Sequence, residues 1–278
     1  MDIYVREGNY TGKVQGVVLD WAGTSVDHGC IGPVAVFVDV FKRFRVEVTI
    51  QEARGPMGLM KKDHIREMCR MESVDKKWRA EHGRAPDEND IQAMYELTEP
   101  MMVEGVARHS IPIEGAVDFL KTMRERGIKI GSSTGYTGSI MEPVVKEAAK
   151  HGFAPDSIVS STDVPAGRPY PWMCYQNAMN LGIYPFESMV KIGDTLSDIQ
   201  EGLNAGMWVI ALTRTGNELG LNAQDAAALD KAEMESRLNS IAERWRAAGA
   251  HYTAESIAHC PPIIEEINER LARGERPY

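Results

Sequence analysis

Residues 14–27 read VQGVVLDWAGTSVD. A strand is expected over 14–19, with Val17, Val18 and Leu19 as its apolar run, and it stops on a carboxylate, Asp20. Trp21, Ala22, Gly23 and Thr24 follow as a turn. A strand that delivers an aspartate into a tight turn sets it where parallel sheets bind ligands. If Asp20 attacks phosphorus, an acid is wanted close by for the departing group. Position 22 holds alanine instead.

The 278 residues suffice for one large domain or a core with an insert, and 43% hydrophobic with 26% charged residues is an ordinary globular composition. A net charge of −9 argues against nucleic acid or an anionic membrane as the main partner. It does not exclude an anionic small molecule at a locally positive site. Cys30, Cys69, Cys174 and Cys260 are scattered without a CxxC pair, which fits reduced thiols rather than a disulfide scaffold. No apolar run approaches the roughly 20 residues of a membrane span. MDIYVREGNYTGK at the N-terminus lacks the apolar centre of a signal peptide, so the expected location is the cytoplasm.

Beyond Asp20 the pattern turns helical. Ile31, Val34, Val38, Phe41 and Phe44 recur at helical spacing. Thr49-Ile50-Gln51-Glu52 has the form of a capping box, so a new helix is expected at Ile50. After Gly55-Pro56 the spacing predicts a helix over 57–70, and after Ala85-Pro86 another over 88–107. Past Pro112, helix and strand alternate. Helices are predicted over 116–126, 139–150, 172–181 and 197–204, and strands over 128–130, 157–159, 189–192 and 207–212. Gly127, Gly152, Gly182 and Gly206 serve as C-cap signals. The tail from 221 is helical apart from a short strand over 250–253. The expected fold class is α/β: a Rossmann-like parallel sheet core, residues 1–27 and 108–278, with a helical domain of residues 28–107 inserted after the first strand.

The strand ends carry the candidate chemistry. Asp20 is a turn residue or a nucleophile. Ser133-Thr134-Gly135, within SSTGYT, close a turn or offer hydroxyl and backbone N–H groups to phosphate oxygens. Asp194 and Asp198, in KIGDTLSD, cap a helix or ligate Mg²⁺ and support its ligands. Arg168, in VPAGRPYPWMC, is a solvated loop cation or a guanidinium that grips a phosphate or phosphonate. In MGLMKKDH a helix would set Met57, Lys61 and His64 on one face, with Lys62 about 100° away. Lys61 is then a surface lysine or a desolvated amine able to attack a carbonyl.

Taken in order, these motifs resemble the haloacid dehalogenase superfamily, whose phosphoryl-transfer members form an aspartyl-phosphate with help from Mg²⁺. DWAGTSVDHGC, MGLMKKDH, SSTGYT, DVPAGRPYPWMCYQNAM and GDTLSDIQEGLNAGMW look like its phosphonoacetaldehyde hydrolase (phosphonatase) branch, from about Val14 to Trp208 and loosely through the tail. The resemblance implies that residues 28–107 are a cap domain and that the protein is a homodimer through the cap. It implies Mg²⁺ held by Asp20, the Ala22 carbonyl and Asp194, with Asp198 supporting the site. Asp20 would attack phosphorus, Lys61 would form a Schiff base with the aldehyde, and His64 would move protons beside it. Thr134 and Arg168 would hold the phosphonate, while Cys30, Met57 and Gly58 line the cleft.

Phosphatases of the superfamily carry an aspartate two residues after the nucleophile, and Ala22 departs from that pattern. The departure agrees with a carbon leaving group that exits as an enamine on Lys61. The implied activity is hydrolysis of the P–C bond of phosphonoacetaldehyde to acetaldehyde and phosphate. The alternatives are a capped phosphatase or phosphomutase acting on monoesters, a Schiff-base lyase or aldolase without phosphoryl transfer, and a phosphate-binding protein without catalysis.

Overall fold

The computed structural model describes residues 8–278. Positions 1–7, part of the segment read for a signal peptide and of the stretch assigned to the core, lie outside the described residues. Six strands, β1 (Gly16–Leu19), β2 (Lys129–Thr134), β3 (Ser157–Ser160), β4 (Met189–Gly193), β5 (Trp208–Leu212) and β6 (Tyr252–Ala254), form one sheet in the order β3-β2-β1-β4-β5-β6. Every pairing is parallel. Such a sheet is covered on both faces, which is why β1, β4 and β5 are buried along their whole length.

The chain builds outward from β1 through β2 to β3, then crosses back to add β4 on the other flank of β1. Leu19 consequently sits between Ser132 of β2 and Ile192 of β4. The reversal opens a crevice beyond the carboxyl ends of β1 and β4. Asp20 and Asp194 are the first residues past those two ends, and the Asp20 N–H donates to the Ile192 carbonyl at 2.9 Å.

Five helices follow β1 before the chain returns to the sheet layer: α1 (Ile31–Arg43), α2 (Ile50–Arg54), α3 (Lys61–Arg70), α4 (Glu72–His82) and α5 (Glu88–Val106). They bury Phe37, Phe41, Met68, Trp78 and Met94 among themselves. The chain leaves for these helices and returns from them side by side, since the Ile113 N–H donates to the Ser25 carbonyl at 2.9 Å. The Thr49 box is present: the Thr49 hydroxyl accepts from the Glu52 N–H at 3.1 Å and Glu52 accepts from the Thr49 N–H at 2.7 Å. The remaining helices are α6 (Ala116–Glu125), α7 (Gly138–Lys150), α8 (Trp172–Leu181), α9 (Leu196–Asn204), α10 (Ala223–Ala228), α11 (Lys231–Ala247) and α12 (Cys260–Ala272). Among the described residues, no helix is long and apolar enough to cross a membrane.

The structure corrects several boundaries. The helix expected over 57–70 begins only at Lys61. Gly58, with φ +89°, turns the chain before it, so Met57 does not share a helix face with Lys61 and His64. Residues 72–82 form a helix of their own, α4, which the spacing did not single out. The opening strand starts at Gly16 rather than Val14. β2 continues past Ile130 to Thr134, so the first half of SSTGYT is strand and not turn. Its hydroxyls are satisfied across the fold: Ser132 donates to the Ser157 carbonyl at 3.3 Å and Ser133 to Glu201 at 2.9 Å. β6 starts at Tyr252, because Gly249 holds φ +100° after α11 and delays the strand.

Candidate active site

The turn after β1 winds around one atom. The Trp21 carbonyl accepts from the backbone N–H groups of Thr24, Ser25 and Val26, and the Ser25 hydroxyl ties the Asp20 carbonyl at 2.7 Å. Gly23 sits at φ +81°, and a Cβ there would come within 2.4 Å of Asp194 Oδ2. Only glycine lets the turn lie this close to the end of β4.

Asp20 and Asp198 are bridged by a buried guanidinium. Arg168 donates through Nη2 to Asp20 Oδ1 at 2.7 Å and through Nε to Glu201 Oε2 at 2.9 Å, and Nη1 faces Asp198 Oδ1 at 3.0 Å. Lys191, within β4, reaches Asp198 at 2.7 Å and the Ser133 hydroxyl at 3.1 Å. Burial alone would raise the Asp198 pKa, but Arg168 and Lys191 outweigh it and hold the carboxyl below its ordinary value. Arg168 is therefore not a solvated loop cation: its side chain is 1% exposed.

Asp194 is treated differently. Among the described residues it makes no salt bridge, and it accepts instead from the Thr24 hydroxyl at 2.9 Å, the Asn217 N–H at 2.8 Å and the Cys30 thiol at 3.5 Å. Burial pushes its pKa well above the ordinary value, and Asp20 and Asp198 push it further. The Asp20 pKa is also raised by burial, with Arg168 opposing and Asp198 adding. Asp20, Asp194 and Asp198 bring carboxylate oxygens within 4.8 Å of one another. Buried carboxylates that repel one another, one of them without a salt bridge, fit a divalent cation bound by oxygen ligands.

Lys61 faces this group from the other side of a cavity lined by Asp20, Ala22, Met57, Gly58, Lys61, Thr134, Gly135, Tyr136 and Arg168. As the first residue of α3 it is 3% exposed, with its Nζ 4.6 Å from the centre of the Tyr136 ring. Burial, aided by Arg168 and opposed by Asp20, pulls the ammonium pKa down to about 8. Two residues singled out in the sequence sit behind the wall. Cys30 turns its thiol to Asp194. His64 stacks on Phe37, ring centres 3.7 Å apart, with Nε2 2.9 Å from the Ala53 carbonyl. A carbonyl only accepts, so Nε2 carries the ring proton, and burial with Lys61 nearby keeps the ring neutral.

Glycines allow the Lys61 segment to reach the sheet. A Cβ on Gly58 would lie 2.2 Å from the Ser197 hydroxyl and 2.5 Å from that of Thr195, and one on Gly135 would lie 2.5 Å from the Leu59 carbonyl. Gly58→Ala is expected to push Lys61 outward and lower kcat/KM by roughly 10²-fold, the cost of a misplacement near 1 Å. Far-UV circular dichroism should stay unchanged, and steady-state kinetics with the substrate proposed below measures the loss.

The profile of haloacid dehalogenase-like hydrolases matches residues 14–206, running from β1 through α9. The chain belongs to this family. It is 55% identical to a phosphonoacetaldehyde hydrolase-like protein of Syntrophobacter fumaroxidans, with 100% of both chains covered. It is 52% identical to a phosphonoacetaldehyde hydrolase of Nitratidesulfovibrio vulgaris, over 100% of this chain and 99% of that one. A crystal structure of a phosphonoacetaldehyde hydrolase-like protein from Oleispira antarctica superposes with a TM-score of 0.96 at 38% identity, covering 99% of this chain and 100% of that one. The α/β fold expected from the sequence is the fold of this family.

Asp20, Met57, Gly58, Lys61, Thr134 and Arg168 thus share one cavity, with Asp194 and Asp198 beneath it. Sequence reasoning passed over Tyr136, Lys191 and Glu201. Glu201 lies three residues after Asp198 on α9, so helical spacing alone could have placed it beside that residue. Lys191 gave a weaker signal, a lone cation inside an apolar strand.

Proposed function

We propose that this hydrolase cleaves the carbon–phosphorus bond of phosphonoacetaldehyde to give acetaldehyde and phosphate. The observation that carries the reading is the pairing, in one cavity, of a carboxylate fixed by Arg168 with a desolvated lysine whose pKa is pulled to about 8. A phosphate monoesterase would use Asp20 but would have no work for such a lysine, and position 22 would need an acid. An aldolase would use Lys61 but not the carboxylate cluster. The 52% identity to a chain named phosphonoacetaldehyde hydrolase supports the same conclusion.

In the proposed sequence, the neutral Lys61 amine adds to the aldehyde carbon, the adduct takes up one proton from solvent and loses water, and a protonated imine results. Asp20 attacks phosphorus, and the electrons of the broken P–C bond pass into the imine, so the two-carbon fragment departs as an enamine. Protonation at carbon and hydrolysis release acetaldehyde and restore the Lys61 amine, after which water cleaves the aspartyl-phosphate. Arg168 orients Asp20, and Thr134 with the Gly135 backbone faces the phosphonate oxygens. His64, neutral and behind the cavity wall, acts only on the surroundings of Lys61 and takes no proton from the fragment. Met57 keeps the surroundings of the fragment apolar, while Cys30 stands behind the wall against Asp194. Asp20, Asp194 and the Ala22 carbonyl would hold Mg²⁺, with Asp198 supporting them; the ion would supply charge neutralisation for the phosphonate. The helices over 28–107 act as a cap that excludes water, and the reading takes the protein to be a cytoplasmic homodimer.

Acetaldehyde production from phosphonoacetaldehyde tests the activity; its absence with Mg²⁺ present would refute it. Stripping Mg²⁺ with EDTA is expected to lower phosphate release by about 10³-fold, equivalent to about 4 kcal/mol of lost charge stabilisation. Imine formation at Lys61 should survive that treatment, as read by borohydride trapping and mass spectrometry. The pH dependence of trapping follows from the lowered Lys61 pKa. A lowered pKa means the reactive amine is already present above about 8 and is lost as pH falls. The trapping rate should drop roughly tenfold per pH unit below that point and level off above it. A flat profile from pH 6 to 9 would contradict the assignment.

A further inference from the structure

The segment that carries Lys61 is clasped to the core by one arginine at the end of α2. Arg54 Nη1 donates to the Gly29 carbonyl at 2.7 Å and to Asn217 Oδ1 at 3.1 Å, while Nη2 donates to the Gly220 carbonyl at 3.0 Å. Asn217 answers through Nδ2, which donates to the Arg54 carbonyl at 3.1 Å. The guanidinium fork therefore joins three stretches far apart in sequence: the way into the helices at Gly29, the end of α2, and the loop after β5. A planar, five-donor group suits this task, and a lysine could not span the same acceptors.

Two features make the clasp more than a surface contact. The loop is moulded around it: a Cβ on Gly220 would sit 2.8 Å from Arg54 Nε, and one on Gly29 would sit 2.3 Å from the Leu221 carbonyl oxygen. The clasp also reaches the carboxylate cluster, because the Asn217 backbone N–H donates to Asp194 Oδ2 at 2.8 Å. Arg54 thus touches Asn217, Asn217 touches Asp194, and seven residues after Arg54 the chain reaches Lys61.

We propose that Arg54 is a positioning residue: with Asn217 it latches the Lys61 segment over the sheet and in the same contact sets the orientation of Asp194. Seating of the lysine and preparation of the carboxylate cluster become one event. The functional consequence rests on the roles proposed above for Lys61 and Asp194, but the latch itself can be tested without them.

The test is the rate at which a small acylating reagent, N-acetoxysuccinimide, labels Lys61 at pH 8 in the full chain, read by mass spectrometry. Lys146, 70% exposed on α7, is the internal reference. Arg54→Lys should raise Lys61 labelling at least tenfold with Lys146 unchanged, and millimolar guanidinium should restore protection to Arg54→Ala. Asn217→Ala keeps the backbone donor to Asp194 and removes only the side-chain clasp; it should expose Lys61 similarly, and it stands as the test if the Arg54 variants do not fold. The double variant should label no faster than Arg54→Lys alone. Unchanged labelling in Asn217→Ala or in folded Arg54→Lys, or additive effects in the double variant, would overturn the latch. For the link to Asp194, the rise in melting temperature on adding Mg²⁺ should shrink in Arg54→Lys; an equal rise overturns that link. If Lys61 proves not to form an imine, the labelling result still stands, so the two failures are distinguishable.

Discussion

Lys61→Arg is expected to abolish carbon–phosphorus cleavage, with kcat/KM for acetaldehyde release falling by about 10⁴-fold or more, as when a covalent catalyst is removed elsewhere. The substitution keeps a positive charge at the start of α3, so a purely electrostatic role for Lys61 would survive it. A guanidinium cannot condense with an aldehyde, so an electron-sink role would not. The site also explains why the lysine is reactive: it is buried beside Tyr136 and pulled to about 8. Steady-state assay of acetaldehyde, with thermal melting as a control for folding, decides the matter. A variant retaining more than a tenth of the activity would rule out the Schiff base.

Asp20→Asn gives the complementary result. The amide oxygen can still accept from Arg168, so the geometry around the guanidinium should persist, but an amide cannot displace a carbon leaving group from phosphorus. Phosphate release should fall by about 10⁴-fold or more. The Lys61 imine should still form, because nothing in that step uses Asp20. Opposite effects on two readouts, trapping retained and phosphate lost, separate a nucleophile from a residue that only supports the fold. Loss of both, in a protein that still melts cooperatively, would contradict the division of labour between the two sides of the cavity.

What could be read from the sequence follows from where the deciding interactions lie. β4 and β5 announce themselves because a parallel sheet covered on both faces needs unbroken apolar runs. The Thr49 box is legible because both of its hydrogen bonds span three residues. Asp20 and Asp194 stand out because each ends such a run. The misread parts depend on partners distant in the chain. Arg168 sits among prolines, where the sequence left a solvated cation and a fixed guanidinium both open, and only its burial by Asp20, Ser133 and Glu201 decides between them. Ser132 and Ser133 read as turn residues, but their hydroxyls have partners on β3 and α9 that allow them to stay in strand. Gly58 looked like part of a helix, and only its close approach to Thr195 and Ser197 shows why the chain turns there. Local rules fixed the element cores; the site was assembled by contacts that no local rule contains.

The most direct test of the central claim, that Lys61 captures the aldehyde and lets carbon leave phosphorus, is a single trapping measurement. The protein is incubated with phosphonoacetaldehyde and Mg²⁺, reduced with borohydride, digested and mapped by mass spectrometry. The expected result is a two-carbon adduct on Lys61, and not on Lys62, together with loss of activity in proportion to its yield. An unmodified Lys61 in protein that goes on producing acetaldehyde would contradict it.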